Sequence, residues 1–268
     1  MKTSINGATT MPYSLEKDIE AAGETGFQGV EIWKSKLDDF LKNRRVEELR
    51  GLLSRYRLGA AAICAFSGYV WCTEEDFKKR VEQTKPYFQA ANAIGCGSLI
   101  VCAEGAKDKT FDERVEAHAT RLARLAETGR EYGVRIAMEW FWNLREAFAV
   151  VERANHDHLG LVIDTFHWYR GDGEIENIDL TPRGKLFVVH VNDCENLPRE
   201  KLTDKNRLYC GLGVIPLVEI LDKLKRLGYD GYLSVELFRD EYWKRDPKTI
   251  NRESMMTLRE VMSKASVL

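Results

Sequence analysis

The chain has 268 residues, is 44% hydrophobic and 31% charged, and carries a formal net charge of −2 from 40 Lys+Arg against 42 Asp+Glu. That composition supports a large buried core. It gives no electrostatic footprint for nucleic acid, and no apolar run reaches the roughly 18 residues that span a bilayer.

Short β-type runs alternate with longer helical patterns along the whole chain. Lys2–Asn6 predicts a first strand, and Ser14 predicts the cap of a helix that ends near Gly23–Gly26. Gly29–Trp33 predicts a second strand. A charged helical stretch from about Leu37 to Tyr56 follows, with Val46, Leu49 and Leu53 at helical spacing. Leu58–Ala65 reads as the third strand. Thr73, with Asp76 three residues on, opens a helix in which Pro86 predicts a kink or a break. Leu99–Cys102 is the fourth strand, and Thr110 with Glu113 makes a capping box for a helix stopped by Gly133. Val134–Glu139 is the fifth strand, followed by a helix over 143–154. Leu159–Asp164 is the sixth strand. Residues 172–185 show no clear period. Leu186–Val191 is the seventh strand, and a long polar loop over 192–213 leads to a helix opened by Pro216 and closed by Gly228. Tyr232–Leu237 is the eighth strand, and Asp246-Pro247 opens the last helix.

Eight βα units in this length predict an α/β fold, a (β/α)8 TIM barrel forming one domain over residues 1–268. The strands are short and apolar throughout, as strands buried on both faces are. The N-terminal stretch MKTSINGATTMP lacks the apolar centre of a secretory signal. The six cysteines form no CxxC pair, so they are expected to be reduced and the protein cytoplasmic. Self-association into a homo-oligomer is left open.

Four of the strands end in a polar residue: Glu139, Asp164, His190 and Glu236. In barrel enzymes the active site lies at the C-terminal ends of the strands. Taken singly, each residue has an ordinary alternative. A strand-end carboxylate commonly caps the next helix or sits solvated on the rim, and a buried histidine is commonly a hydrogen-bonded core residue. Together, three carboxylates on one closed rim repel unless a cation sits between them. Three oxygens and one imidazole suit Mn²⁺ or Mg²⁺, with Co²⁺ or Zn²⁺ also compatible. His167, Arg207 and Glu31 are candidate substrate contacts, with packing of His167 between Phe166 and Trp168 and a solvated loop position for Arg207 as alternatives. His156 and His158 are expected at the opposite rim and His118 on an exterior helix. Gly211-Leu212-Gly213 is too short a glycine motif to support a nucleotide site.

The chain resembles the xylose isomerase-like barrels, the sugar isomerase and epimerase superfamily, and within it the inosose (2-keto-myo-inositol) isomerase branch. The matching segments are residues 6–10, 30–32, DTFH at 164–167, 190–193, 202–207, 211–213 and SVELFR at 234–239. Cys210 stands where the family often has proline, and Trp140-Phe141-Trp142 is more aromatic than usual. The resemblance implies that Glu139, Asp164, His190 and Glu236 bind one divalent ion and that Glu139 and Glu236 shuttle a proton through an enediolate. The implied substrate is a small keto-sugar or keto-cyclitol, converted by isomerisation or epimerisation, with no nucleic-acid or membrane partner. Three rivals share the barrel. A lyase or dehydratase acts on a keto-sugar or dehydroshikimate-like substrate. A DNA-repair endonuclease requires further histidine and acidic ligands, for which the first half of the chain offers only His118. The third is a non-catalytic sugar-binding barrel.

Overall fold

A computed structural model describes residues 1–268. In chain order the elements are β1 (Lys2–Asn6), α1 (Leu15–Glu24), β2 (Gly29–Trp33), α2 (Lys34–Leu41), α3 (Val46–Arg55), β3 (Gly59–Phe66), α4 (Glu74–Ile94), β4 (Ser98–Cys102), α5 (Phe111–Glu131), β5 (Arg135–Glu139), α6 (Leu144–Ala154), β6 (Leu159–Asp164), α7 (Thr165–Arg170), β7 (Leu186–Val191), β8 (Asp193–Cys194), β9 (Arg207–Leu208), α8 (Leu217–Arg226), β10 (Tyr232–Val235), α9 (Asp240–Trp243) and α10 (Pro247–Lys264). Eight of the strands close into a parallel barrel in the order β1-β10-β7-β6-β5-β4-β3-β2, and β8 and β9 form a separate antiparallel ribbon. Strand-to-helix-to-strand repetition explains this closure, because each crossover helix covers the outer face of the strands it joins. No helix is long and apolar enough to cross a membrane.

The strands carry Val, Ile, Leu and Ala on both faces. β6 is buried at all six positions, and β5 at four of five. The inside of the barrel holds a small apolar plug that includes Ala62, Ile100, Ala137, Val162 and Val188, while the main core lies between strands and helices. Register brings the polar strand ends together: Asp164 of β6 pairs with His190 of β7, and Glu139 of β5 pairs with Val162.

Two expectations need correction. The helical stretch over 37–56 is two helices, α2 and α3, separated at Lys42–Arg45. This KNRR segment has no apolar residue to dock, and the Arg45 N–H donates to the Glu48 carboxylate 2.9 Å away, which starts a new helix there. Pro86 does not break its helix, since α4 runs unbroken from Glu74 to Ile94. The proline removes the bond to the Glu82 carbonyl, but both residues lie on the exposed face, where that oxygen is open to solvent. The irregular 172–185 region contains a 3₁₀ turn over Ile175–Leu180, and the long polar loop after β7 holds two short 3₁₀ turns and the ribbon.

Candidate functional site

Glu139, Asp164, His190 and Glu236 stand at or beside the C-terminal ends of β5, β6, β7 and β10, all four buried. One ligand atom from each lies within 4.8 Å of the others. Nδ1 of His190 is the centre of the group, 3.1 Å from Glu139 Oε1, 3.3 Å from Glu236 Oε2 and 3.7 Å from Asp164 Oδ2. Bonds of about 2.1 Å to one small divalent ion separate neighbouring ligand atoms by about 3 to 4 Å, so the spacing fits a shared ion.

The other imidazole nitrogen has its own partner. Nε2 of His190 donates to Glu31 Oε1 at 3.0 Å and Oε2 at 3.2 Å. Glu31 is therefore placed behind His190 in β2, fully buried, rather than along a substrate path. A carboxylate on the far nitrogen fixes the ring orientation and turns Nδ1 to the centre. Asn6, at the end of β1, ties this pair to the rest by donating to Glu31 Oε1 at 2.6 Å and to Glu236 Oε1 at 3.0 Å.

Arg207 is the second surprise. It comes from the loop after β7 but is 1% exposed. Its Nη1 donates to Asp164 Oδ2 at 2.7 Å and to Glu236 Oε2 at 2.9 Å, and its Nε and Nη2 donate to Asp204 at 3.1 and 2.8 Å. The guanidinium lies between Phe166 and Phe238, 4.7 and 5.2 Å from their ring centres. Arg207 thus neutralises two of the carboxylates from the side. Glu31, Glu139, Asp164 and Glu236 are four buried carboxylates against this one permanent cation, an excess of negative charge that a divalent ion among them would relieve.

His167 completes the wall. Arg207 Nη2 donates to its Nε2 at 3.1 Å, so the ring proton sits on Nδ1. That Nδ1 is buried with no partner. An orphaned buried donor costs about 1–3 kcal/mol and is a natural place for a ligand oxygen. Asp164 fills the capping role weighed for it and also turns one oxygen to the centre. Its Oδ1 accepts the Phe166 and His167 N–H groups at 2.7 and 3.2 Å as the cap of α7, and its Oδ2 faces the centre.

The ionisation states divide the acids. Burial pushes the Glu236 carboxyl up to about 7, against the pull of His190 and Arg207. Burial also opposes ionisation of Glu139, but the His190 charge outweighs it and holds Glu139 below the usual carboxylate value. Asp164 lies well below its usual value, since Arg207 and His167 overcome its burial. His190 is the converse: burial disfavours its charge, yet Glu236, Glu31 and Glu139 raise it well above an ordinary imidazole.

Several residues with a part in the site carry no sequence signal of their own. Asn6 and Asn192 look like ordinary polar loop residues. Asn192 accepts from Thr165 Oγ1 at 3.0 Å and donates to Asp164 Oδ1 at 3.3 Å. Only their position at the end of a strand, Asn6 as the last residue of β1 and Asn192 directly after β7, and their place in the matching segments 6–10 and 190–193 hint at the rim. The Gly211–Gly213 segment wraps the Asp193 carboxylate, which accepts the Gly213 and Ile215 N–H groups at 2.9 and 2.8 Å. All six cysteines are free. His156 and His158 lie before β6 at the opposite rim, with His156 on Glu127 at 3.0 Å.

His118 is on α5, an exterior helix as expected, and its side chain is fully buried against the barrel. Its Nδ1–H donates to the Arg114 carbonyl at 2.8 Å, and its Nε2 accepts the Glu104 N–H at 3.1 Å, so only the neutral ring satisfies both bonds. Glu104 in turn accepts the Gly68, Tyr69 and Val70 N–H groups, so His118 anchors two rim loops. Burial lowers its pKa from 6.5. A histidine with a lowered folded pKa destabilises the fold as pH falls through the unfolded value. The wild type should therefore lose urea resistance relative to His118→Gln between about pH 7 and pH 5. Parallel curves for the two proteins would contradict this role.

The comparisons with known proteins agree with this geometry. Residues 19–261 match the family model described as xylose isomerase-like TIM barrel. An inosose isomerase of Halalkalibacterium halodurans is 29% identical over 98% of this chain and 97% of its own length. A 3-dehydroshikimate dehydratase of Pseudomonas aeruginosa is 28% identical over 85% of this chain but only 37% of its own length. Among solved structures, an IolI protein with a bound zinc atom superposes with a TM-score of 0.93 at 27% identity, covering 99% of both chains. The closed parallel barrel, the four polar strand ends and the family match lead to one conclusion: this chain belongs to the xylose isomerase-like TIM barrel family.

Proposed function

We propose that the protein is a divalent-metal-dependent isomerase or epimerase of a small keto-sugar or keto-cyclitol, of the inosose isomerase or ketose 3-epimerase type. The observation that carries the reading is the arrangement of Glu139, Asp164, His190 and Glu236 around one point, with the two glutamates on β5 and after β10, separated around the rim by β6 and β7. Glu139, Asp164, His190 and Glu236 would hold the ion, Mn²⁺ or Mg²⁺ by donor set, with Co²⁺ or Zn²⁺ compatible. When bound, the ion would polarise the substrate carbonyl and offset the negative charge that develops next to it.

The chain's own groups supply the rest. One glutamate removes the proton from the carbon beside the carbonyl, and the other returns one. Return at the neighbouring carbon isomerises, and return on the opposite face of the same carbon epimerises. Glu139, at the end of β5, and Glu236, after β10, are the two carboxylates placed to do this from different sides of the centre. His167 Nδ1–H donates to a substrate oxygen, and Arg207 keeps His167 in that tautomer. Glu31 keeps His190 turned towards the centre.

The dehydratase relative supports a second reading, elimination of a β-leaving group after the same proton abstraction. One assay separates the two. Purified protein with Mn²⁺ is offered a panel of ketoses, inososes and 3-dehydroshikimate, and products are followed by NMR. Formation of an isomer or epimer is the expected result. An unsaturated product moves the protein to the dehydratase class, and no conversion of any panel member sinks the reading.

A further inference from the structure

We propose that the rim carries a second subsite, for a neutral sugar ring, so that the substrate is a keto-sugar or keto-cyclitol bearing a further ring. This deepens the functional reading above and rests on it. The site is a cavity of about 500 Å³, within the range of small-molecule sites. Its walls come from three neighbouring loops on the catalytic face: Phe141 and Trp142 after β5, Arg170 and Asp172 at and after the end of α7, and Arg199 and Glu200 after β7. These follow the same strands that supply Glu139, Asp164 and His190.

The cavity adjoins the candidate catalytic centre. Phe141 lines it, and the same ring meets the His167 ring edge-on, with centroids 4.6 Å apart. Trp142 is 42% exposed, held edge-on against Trp140 and Phe141 at 5.5 and 5.9 Å. A large indole left open beside a polar-lined cavity on the catalytic rim is not core packing. It offers a flat surface to the C–H face of a sugar ring. The closure is built in, because a Cβ on Gly171 would stand 1.7 Å from the Trp142 carbonyl oxygen, and glycine alone lets these two loops meet.

Charge selects the ligand class. Two arginines face two acids, so the lining has no surplus to hold a phosphate. Arg199 is already engaged, donating to the Asp172 carbonyl at 3.0 Å with its guanidinium 4.6 Å from the Tyr169 ring centre, and Asp172 accepts from Asn177 at 3.0 Å. Arg170 and Glu200 make no ion pair or side-chain hydrogen bond. A free donor, a free acceptor and an aromatic face are the groups that recognise a neutral polyhydroxy ring.

The test is equilibrium binding to Mn²⁺-loaded protein, read by calorimetry and saturation-transfer NMR. The probes are fructose, fructose 6-phosphate, and three ketoses that carry a neutral pyranose at different oxygens: lactulose, turanose and isomaltulose. At least one glycosylated ketose should bind about 10-fold tighter than fructose, a margin of about 1.4 kcal/mol. Trp142→Ala and Arg170→Ala should each erase that margin and leave fructose binding as it was. Equal binding of all the sugars, or loss of fructose binding in step with the rest, overturns the subsite. Tighter binding of fructose 6-phosphate that depends on Arg170 overturns its neutral character. If the glycosylated ketose binds through Trp142 but no panel sugar is converted, the subsite stands and the isomerase reading falls.

Discussion

Glu236→Gln is expected to lower turnover by about 10²–10⁴-fold and to leave the barrel folded. The substitution keeps shape and one oxygen but removes the group whose carboxyl burial pushes up to about 7. One of its two neighbours stays bonded, since the amide oxygen can accept from Arg207 Nη1 or from Asn6 Nδ2 but not both; these now reach Oε2 at 2.9 Å and Oε1 at 3.0 Å, and losing one such bond costs about 1–3 kcal/mol. Circular dichroism should therefore stay at the wild-type values, with the melting temperature lowered by no more than a few degrees. Because Glu236 also belongs to the proposed ion site, metal affinity must be measured beside turnover. Loss of turnover at saturating Mn²⁺ assigns the residue to proton transfer. Full recovery by added metal would reduce it to a ligand, and full activity without added metal would remove it from the mechanism. Glu139→Gln should produce a loss of similar size if the two glutamates work as a pair.

The largest stability effect is expected at Lys36→Met, away from the reacting atoms. Lys36 Nζ donates to Asp18 Oδ2 at 2.6 Å, to the Gly7 carbonyl at 2.8 Å and to the Thr10 carbonyl at 2.9 Å. Asp18 Oδ1 accepts from Thr10 Oγ1 at 2.7 Å. Both charged side chains are almost fully buried, at 5% and 2% exposure. Burial opposes both charges, raising Asp18 to about 7 and lowering Lys36, and the attraction of each for the other offsets that only in part. Removing the lysine leaves a buried carboxylate and two carbonyls unanswered, a loss of about 3–5 kcal/mol from a total that for most domains is about 5–15 kcal/mol. Urea unfolding should show it, and Lys36→Met with Asp18→Asn together should restore part of the loss. A change below about 1 kcal/mol would mean that the pair is replaceable. The pair holds the 3₁₀ turn over Gly7–Thr10, which follows directly on Asn6, so the single variant should also weaken the Asn6 bonds to Glu31 and Glu236.

The sequence made the scaffold readable because the signals were local. An apolar run ending in one polar residue is visible at Ile136–Glu139, Leu161–Asp164 and Leu233–Glu236, and the barrel rule then gathers those ends on one rim. Caps at Ser14, Thr73, Thr110 and Asp246 were equally local, and each accepts a backbone N–H in the structure. What stayed hidden depends on distance along the chain. Arg207 reads as a solvated loop residue until the loop after β7 folds inward and stacks it between Phe166 and Phe238. Glu31 sits 159 residues from His190, and nothing in Val30-Glu31-Ile32 says that the carboxylate meets the back of an imidazole. Asn6 bridges 230 residues to Glu236. His118 shows the same limit for burial: its helix is amphipathic, and only the packing of Trp71 and Trp140 against its ring reveals that it faces inward. The break between α2 and α3 and the continuity of α4 through Pro86 were decided by which face is exposed, a tertiary fact that helical spacing does not carry.

The proton-transfer account is tested most directly by running the reaction in D₂O with Mn²⁺ and following the substrate by NMR. Deuterium should appear at the carbon beside the carbonyl, at a rate that falls with turnover in Glu236→Gln. Conversion of substrate to product with no deuterium incorporated, the mark of a direct hydride shift, would contradict it.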